Sequence, residues 1–307
     1  MNAFHTPYRY DYEVTGYSGR IYNYLRGRCD YSGRVLRAVK YDGKVLLNGE
    51  PTFYSRQCGE GDLITVILPE ERPDDIAGTI PLSLIYEDSD ILIADKPPYM
   101  LVHPSGERRE NTLVNSIYLH WRDIGYTGKV HFVSRLDMNT SGLITIGRNR
   151  FVHGALQSMA HKGLIKKRYT AICEGVPEKQ EGTIDTPIER VEGSILRQPG
   201  EDGKDSVTEY RVLAENGRYS LVELTILTGR THQIRVHMKS IGCPVLGDDL
   251  YGSPSSLIGR QALHASFVSL IQPYTRQELE FSSLLPEDMR LALEAIGMTA
   301  QIEWRVK

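Results

Sequence analysis

The chain has 307 residues, 40% of them apolar and 24% charged, a globular mix that excludes collagenous, fibrous and disordered readings and allows one large or two ordinary domains. It has no uncharged apolar run of about 18 residues, no secretory pattern in residues 1–11 and no CxxC pair among Cys29, Cys58, Cys173 and Cys243, so we expect a reduced, cytoplasmic protein without membrane span, zinc ribbon or disulfide scaffold. The net charge of −3 hides local fields: residues 126–175 carry eight Lys/Arg against two acids, and residues 17–50 seven against three, an asymmetry that suits a nucleic-acid reader or an ordinary solvated face.

Residues 12–69 read as a first module. Ser18 is placed to cap a short helix bearing Ile21, Tyr24 and Leu25. Ser32 is placed to cap a second helix with Val35, Leu36 and Val39 on its apolar face and Gly43 at its end. Arg34, Arg37 and Lys40 share the other face of that helix, which makes it a candidate RNA contact or a plain solvated surface. Strands follow at 45–47 and 63–68, separated by turns at Asn48–Gly49 and at 59–62. Residues 70–81, charged, proline-bearing and without periodicity, read as a linker.

From 82 to 307 short strands alternate with helices: strands at 84–86, 91–95, 131–135, 143–148, 167–174 and 219–227, and helices near 111–120 and 151–162. This mixture predicts an α+β unit rather than a doubly wound parallel sheet. Three segments are candidates for chemistry. Asp137 is expected at a strand end before the polar turn at Thr140, Ser141 and Gly142, where it is either a cleft carboxylate or a turn-stabilising residue. Tyr169 alternates with Arg168 and Thr170 on a strand and is either a base-stacking ring or a core tyrosine. Arg230 stands at a strand–helix junction, with Thr231 expected to cap a helix striped by Ile234, Met238 and Ile241; it is a bidentate partner for a carboxylate or a surface arginine. His232 and His237, five apart, lie on different helix faces, and no HExxH motif, phosphate loop or GxSxG motif occurs.

Together, RLD…TSGL at 135–143, KRY at 167–169 and GRTHQIRVHM at 229–238 resemble the RluA-type family of RNA pseudouridine synthases. YEDSDILIADKP (86–97), VHPS (102–105), GDDLYG (247–252) and LHA (263–265) extend the resemblance in the family's order, with Ser134 where the family most often has His. VLLNGEP (45–51) and GDLITV (61–66) are similar to the small S-four-type RNA-binding domain, so residues 82–307 are expected to form the catalytic domain, a mixed, largely antiparallel sheet with flanking helices and a central cleft.

The resemblance implies that Asp137 is the nucleophile, Tyr169 the stacking tyrosine, Arg230 the partner of the aspartate, Arg135 a holder of the flipped nucleotide and Leu263 a wall of the uracil pocket. It implies uridine isomerisation in RNA, ribosomal in preference to transfer RNA, with no cofactor or metal; one RNA and one cleft require only a monomer. Arg148, Arg150, Lys162, Lys166 and Lys167 are expected to offset the stacking lost on base flipping through phosphate contacts. The alternative is a non-catalytic RNA-binding or assembly factor of the same fold, for which Asp137, Tyr169 and Arg230 would be superfluous.

Overall fold

The computed structural model describes residues 8–73, 79–106 and 110–298. The first module comprises β1 (Arg9–Glu13), β2 (Gly19–Arg20), α1 (Ile21–Gly27), α2 (Gly33–Asp42), β3 (Lys44–Leu47), β4 (Glu50–Pro51), β5 (Gln57–Cys58) and β6 (Leu63–Ile67). Its four-stranded sheet runs β1-β6-β3-β4, with every pair antiparallel. The Ser32 side chain accepts a hydrogen bond from the Val35 amide at the start of α2, and Gly43 ends that helix, as the capping residues dictate. The first helix starts differently: Gly19 and Arg20 pair with β5, so Arg20 rather than Ser18 occupies the cap position.

The larger unit comprises β7 (Leu84–Glu87), β8 (Ile91–Lys96), α3 (Leu113–Asp123), β9 (His131–Phe132), β10 (Ser141–Gly147), α4 (Arg150–His161), β11 (Lys166–Glu174), β12 (Glu181–Asp185), β13 (Ile188–Arg190), β14 (Arg197–Pro199), β15 (Val207–Glu215), β16 (Tyr219–Ile226), α5 (Gln233–Ser240), β17 (Leu263–Ile271), β18 (Glu278–Ser282) and α6 (Glu287–Ala295). Its ten-stranded sheet follows the order β12-β15-β16-β11-β17-β10-β8-β7, with β18 on β17 and β9 on β10. Among the described residues, only β10 and β17 pair in parallel, through Ser141–His264 and Gly142–Ala265. The fold is α+β, mixed and largely antiparallel.

Alternation along the central strands sends side chains to two separate cores. Leu92, Ala94, Ile144, Ile146, Tyr169, Ala171, Leu263 and Ala265 face one core, covered by α3, α5 and α6. Ile91, Ile93, Leu143, Val268 and Leu270 face the other, which they share with α4 and with Tyr10, Leu25, Tyr31, Val35 and Leu36 of the first module. The module is therefore seated on the sheet rather than hung from a linker. Tyr31 stacks on Phe151 with ring centroids 4.1 Å apart. The buried Tyr10 hydroxyl donates to Asp90 at 2.6 Å and accepts from Asn149 at 2.7 Å. Part of the expected linker is also pinned, because buried Glu71 accepts from Arg150 at 2.9 Å and lies 2.9 Å from His131; residues 74–78 lie outside the described residues.

Candidate active site

Asp137 lies in the loop between β9 and β10. The strand expected over 131–135 stops at Phe132, so the carboxylate projects from an irregular segment rather than a strand end. Two buried cations brace this loop. Lys96, at the end of β8, donates through Nζ to the carbonyls of Pro97, Met100 and Met138, each at 2.9 Å. Three acceptors match the three donors of an ammonium group. Burial, reinforced by the nearby Arg260 charge, pushes the Lys96 pKa down to about 7. Arg260 donates to the Asn139 carbonyl at 3.0 Å and grips Asp288 of α6 in bidentate fashion at 2.6 and 2.9 Å.

Gly142 ends the loop at φ +110, and a Cβ there would meet the backbone of Ala265, so only glycine allows β10 to enter beside β17 at this point. Ser141 Oγ lies 3.0 Å from His264 Nδ1 and ties the same two strands together.

The carboxylate of Asp137 keeps 28% of its side chain exposed. Its cationic partner is Arg235, whose Nη1 donates to Asp137 Oδ2 at 3.2 Å. The same guanidinium is clamped by Asp248 through Nε at 2.6 Å and Nη2 at 2.7 Å. Asp248 is fully buried and also accepts from the Leu250 and Tyr251 amides. The expected Arg230–Asp137 pair does not form. Arg230 is exposed and its Nε donates to the Asp205 carbonyl at 3.1 Å. The physical reason lies in helix phase. Arg230 precedes α5, whereas Arg235 lies one turn before buried Met238, on the face that packs inward. That spacing, together with the acids of GDDLYG, was the available signal for Arg235.

The start of α5 also differs from expectation. His232, in the left-handed region at φ 59, is the cap residue in place of Thr231. Its Nε2 lies 3.9 Å from Asp137, and its Nδ1 lies 2.8 Å from the Tyr251 hydroxyl. That hydroxyl also accepts from the Arg197 amide at 2.8 Å, which holds the Tyr251 side chain against the ring. Burial pushes the His232 pKa down, against the opposing pull of the Asp137 charge. His237 points elsewhere, to Thr208 and the Thr186 carbonyl.

Tyr169 is 7% exposed, pairs with Ala265 of β17 and faces the same core as Ala171, Leu263 and Ala265. Burial first, and then the Asp137 charge, push its pKa above the ordinary tyrosine value. Among the described residues, no hydrogen bond reaches its hydroxyl. Arg135 is exposed beside the loop, and its charge helps to lower the pKa of His103 after burial, so it stands within electrostatic reach of the VHPS segment.

Two of the expected phosphate contacts are engaged within the protein. Arg148 is buried, donates to the Asp88 carbonyl at 2.6 Å, pairs with Glu87 at 3.3 Å and lies 4.0 Å from the centroid of the Tyr126 ring. Arg150 is held by Glu71. The buried Arg148 guanidinium has no donor fork to offer a phosphate, and Arg150, 39% exposed, spends its Nε and one Nη2 donor on Glu71. Lys162 and Lys166 are exposed, whereas Lys167 is half-buried with its pKa lowered by burial. On α2, Arg34, Arg37 and Lys40 are all exposed, and among the described residues none of them forms an ion pair.

A part-exposed carboxylate paired with a buried arginine, near the core that holds an aromatic ring and a leucine, is equipped to attack a carbon centre beside a ring on which a planar base can lie. The RNA pseudouridylate synthase family model matches residues 90–240, which span Lys96, Asp137, Tyr169 and Arg235. An uncharacterized RNA pseudouridine synthase of Bacillus subtilis, YjbO, is 40% identical over 267 residues, covering 86% of this chain and 94% of the relative. The ribosomal large subunit pseudouridine synthase D of Zymomonas mobilis is 36% identical over 254 residues, covering 76% of this chain and 79% of the relative. Human RNA pseudouridylate synthase domain containing 4, 23% identical, shares the fold with a TM-score of 0.58 over 70% of this chain and 93% of its own. The chain belongs to the RNA pseudouridylate synthase family: it is an isomerase that converts uridine in RNA to pseudouridine.

Proposed function

We propose that Asp137 is the nucleophile, Tyr169 the ring on which uracil stacks, and Arg235 the cation that pairs with the carboxylate and aims it. Asp137 displaces N1 of uracil from ribose carbon 1. The detached base turns, carbon 5 bonds to carbon 1, and the carboxylate leaves. Carbon 5 then loses its proton and N1 gains one, so the isomerisation is balanced without a further reactant. A phenol whose pKa is raised cannot act as a resting base. Tyr169 instead accepts the carbon 5 proton while passing its own to a neighbouring acceptor, for which the released Asp137 carboxylate is the candidate.

The observation that carries this reading is the half-buried Asp137 carboxylate 3.2 Å from buried Arg235. Purified Asp137→Asn should fold, bind RNA and form no pseudouridine, because an amide is no nucleophile. Release of hydrogen label from carbon 5 of uridine by this variant, above a no-enzyme control, would remove the nucleophile assignment.

The first module, residues 12–69 extended at its start to Arg9, acts as an S-four-type RNA-binding domain, a reading supported by its two helices, its small antiparallel sheet and the unpaired cations of α2. The substrate is ribosomal RNA, supported by the likeness to the ribosomal large subunit enzyme. One chain in the cytoplasm suffices, since every residue assigned here comes from a single polypeptide. No helix among the described residues is long and apolar enough to cross a membrane.

A further inference from the structure

The module carries exposed rings that neither the catalytic reading nor the core employs. Phe53 is 82% exposed and Tyr41 is 73% exposed, in a fold that buries most of its large apolar side chains. Phe53 sits in the turn between β4 and β5, where the Arg56 amide donates to its carbonyl at 3.0 Å. That turn is held rigidly against both helices. The amides of Ile21 and Tyr22, at the start of α1, donate to the carbonyls of Arg56 and Tyr54, each at 3.0 Å. The Tyr22 and Tyr54 rings meet edge to face at 6.2 Å. On the other side, the Tyr54 hydroxyl donates to the Leu36 carbonyl of α2 at 2.9 Å. The next residues on the solvent side of α2 are Arg37 and Lys40, and Lys40 Nζ lies 5.8 Å from the centroid of the Tyr41 ring. Thus a solvent-facing phenyl ring, on a turn whose backbone is bonded in place, and unpaired cations are borne by elements bonded to one another.

We infer that this surface binds an unpaired RNA segment, with a base stacked on Phe53 and the flanking phosphates on Arg37 and Lys40. This rests on the reading of the module as RNA-binding and adds the kind of RNA it takes. Rings interleaved with unpaired cations match the two faces of a nucleotide, whereas a paired duplex hides its bases from a ring. The position of the module favours an unpaired strand as well. It covers the sheet face opposite Tyr169 and Leu263, so RNA that reaches both must turn round the sheet's edge. A flexible strand makes that turn at little cost, and a stiff helix does not.

The test uses the full chain and a short oligocytidylate, which contains no uridine to occupy the pocket, alongside a blunt RNA duplex of equal length. Phe53→Ala should weaken oligocytidylate binding about five-fold or more at an unchanged salt slope. It should leave duplex binding unaltered, and Phe53→Tyr should bind as the parent does. Arg37→Gln with Lys40→Gln should reduce the salt slope for the single strand by ~0.7 per charge removed. If the charge variant loses affinity and Phe53→Ala does not, the stacking proposal fails and the module reading stands. If neither alters RNA binding, both fail. Self-association of the parent that Phe53→Ala abolishes would assign the ring to a second copy instead and overturn the proposal.

Discussion

Arg235 and Arg230 offer the sharpest test of the site, because they are the same residue type in one motif and the structure gives them opposite environments. Arg235 is 3% exposed and Arg230 lies on the surface. At 3.2 Å and an effective dielectric of about 20, the Arg235–Asp137 attraction is roughly 5 kcal/mol gross. Water reaching 28% of the Asp137 side chain reduces this to ~2 kcal/mol, a rate effect of tens-fold before any loss of aim. Removing the guanidinium also strands fully buried Asp248, at a cost of about 3–5 kcal/mol in stability. Arg235→Ala therefore confounds folding with chemistry. The informative pair is Arg235→Lys and the double variant Arg235→Met with Asp248→Leu, which removes both buried charges and should regain most of the stability. Both should lose pseudouridine formation by at least tens-fold in single-turnover release of label from carbon 5. Arg230→Ala should melt within about 1 kcal/mol of the parent and keep its turnover at saturating RNA to within a few-fold. A dead Arg230→Ala beside a nearly normal Arg235→Lys would refute the assignment.

Three further outcomes follow from the loop around Asp137. Gly142→Ala should lower the melting temperature and the turnover together, because its Cβ meets the Ala265 backbone at a φ that favours glycine; a variant with the parent's thermal stability would contradict this. Lys96→Met should change how stability responds to pH. With the folded pKa near 7, below the value of 10.5 for an unperturbed lysine, the unfolded chain binds the extra proton between those limits. The parent should therefore gain stability, relative to the variant, by on the order of 1 kcal/mol per pH unit as pH rises through that window, and parallel curves would show that Lys96 is not perturbed. Tyr169→Phe should retain RNA affinity and slow isomerisation by roughly 10²–10⁴-fold if the hydroxyl relays the proton, and an undiminished single-turnover rate would leave the ring stacking alone.

Local chemistry was legible from the sequence wherever one element suffices to determine it. The cap at Ser32, the end of α2 at Gly43, the buried stripe Val35–Leu36–Val39 and the opposed cations are all set by spacing within ten residues, and they stand as expected. The α+β class follows from alternating elements, and the motifs around Asp137, Tyr169 and Leu263 marked the residues that the fold then gathered. What the sequence left open was decided by contacts between distant segments. The motif at 229–238, by its resemblance, offers Arg230 to Asp137, and the docking of α5 on the sheet, across 98 positions of chain, brings Arg235 there instead. Lys96 and Arg260 look like solvated cations until the fold surrounds them with the carbonyls of the Asp137 loop. Arg148 and Arg150 belong to a basic stretch by composition, yet Glu87 and Glu71 arrive from elsewhere to neutralise them. Charge in a sequence is a count, whereas the field at a surface depends on which charges burial has already paired, and that pairing is a property of the tertiary structure alone.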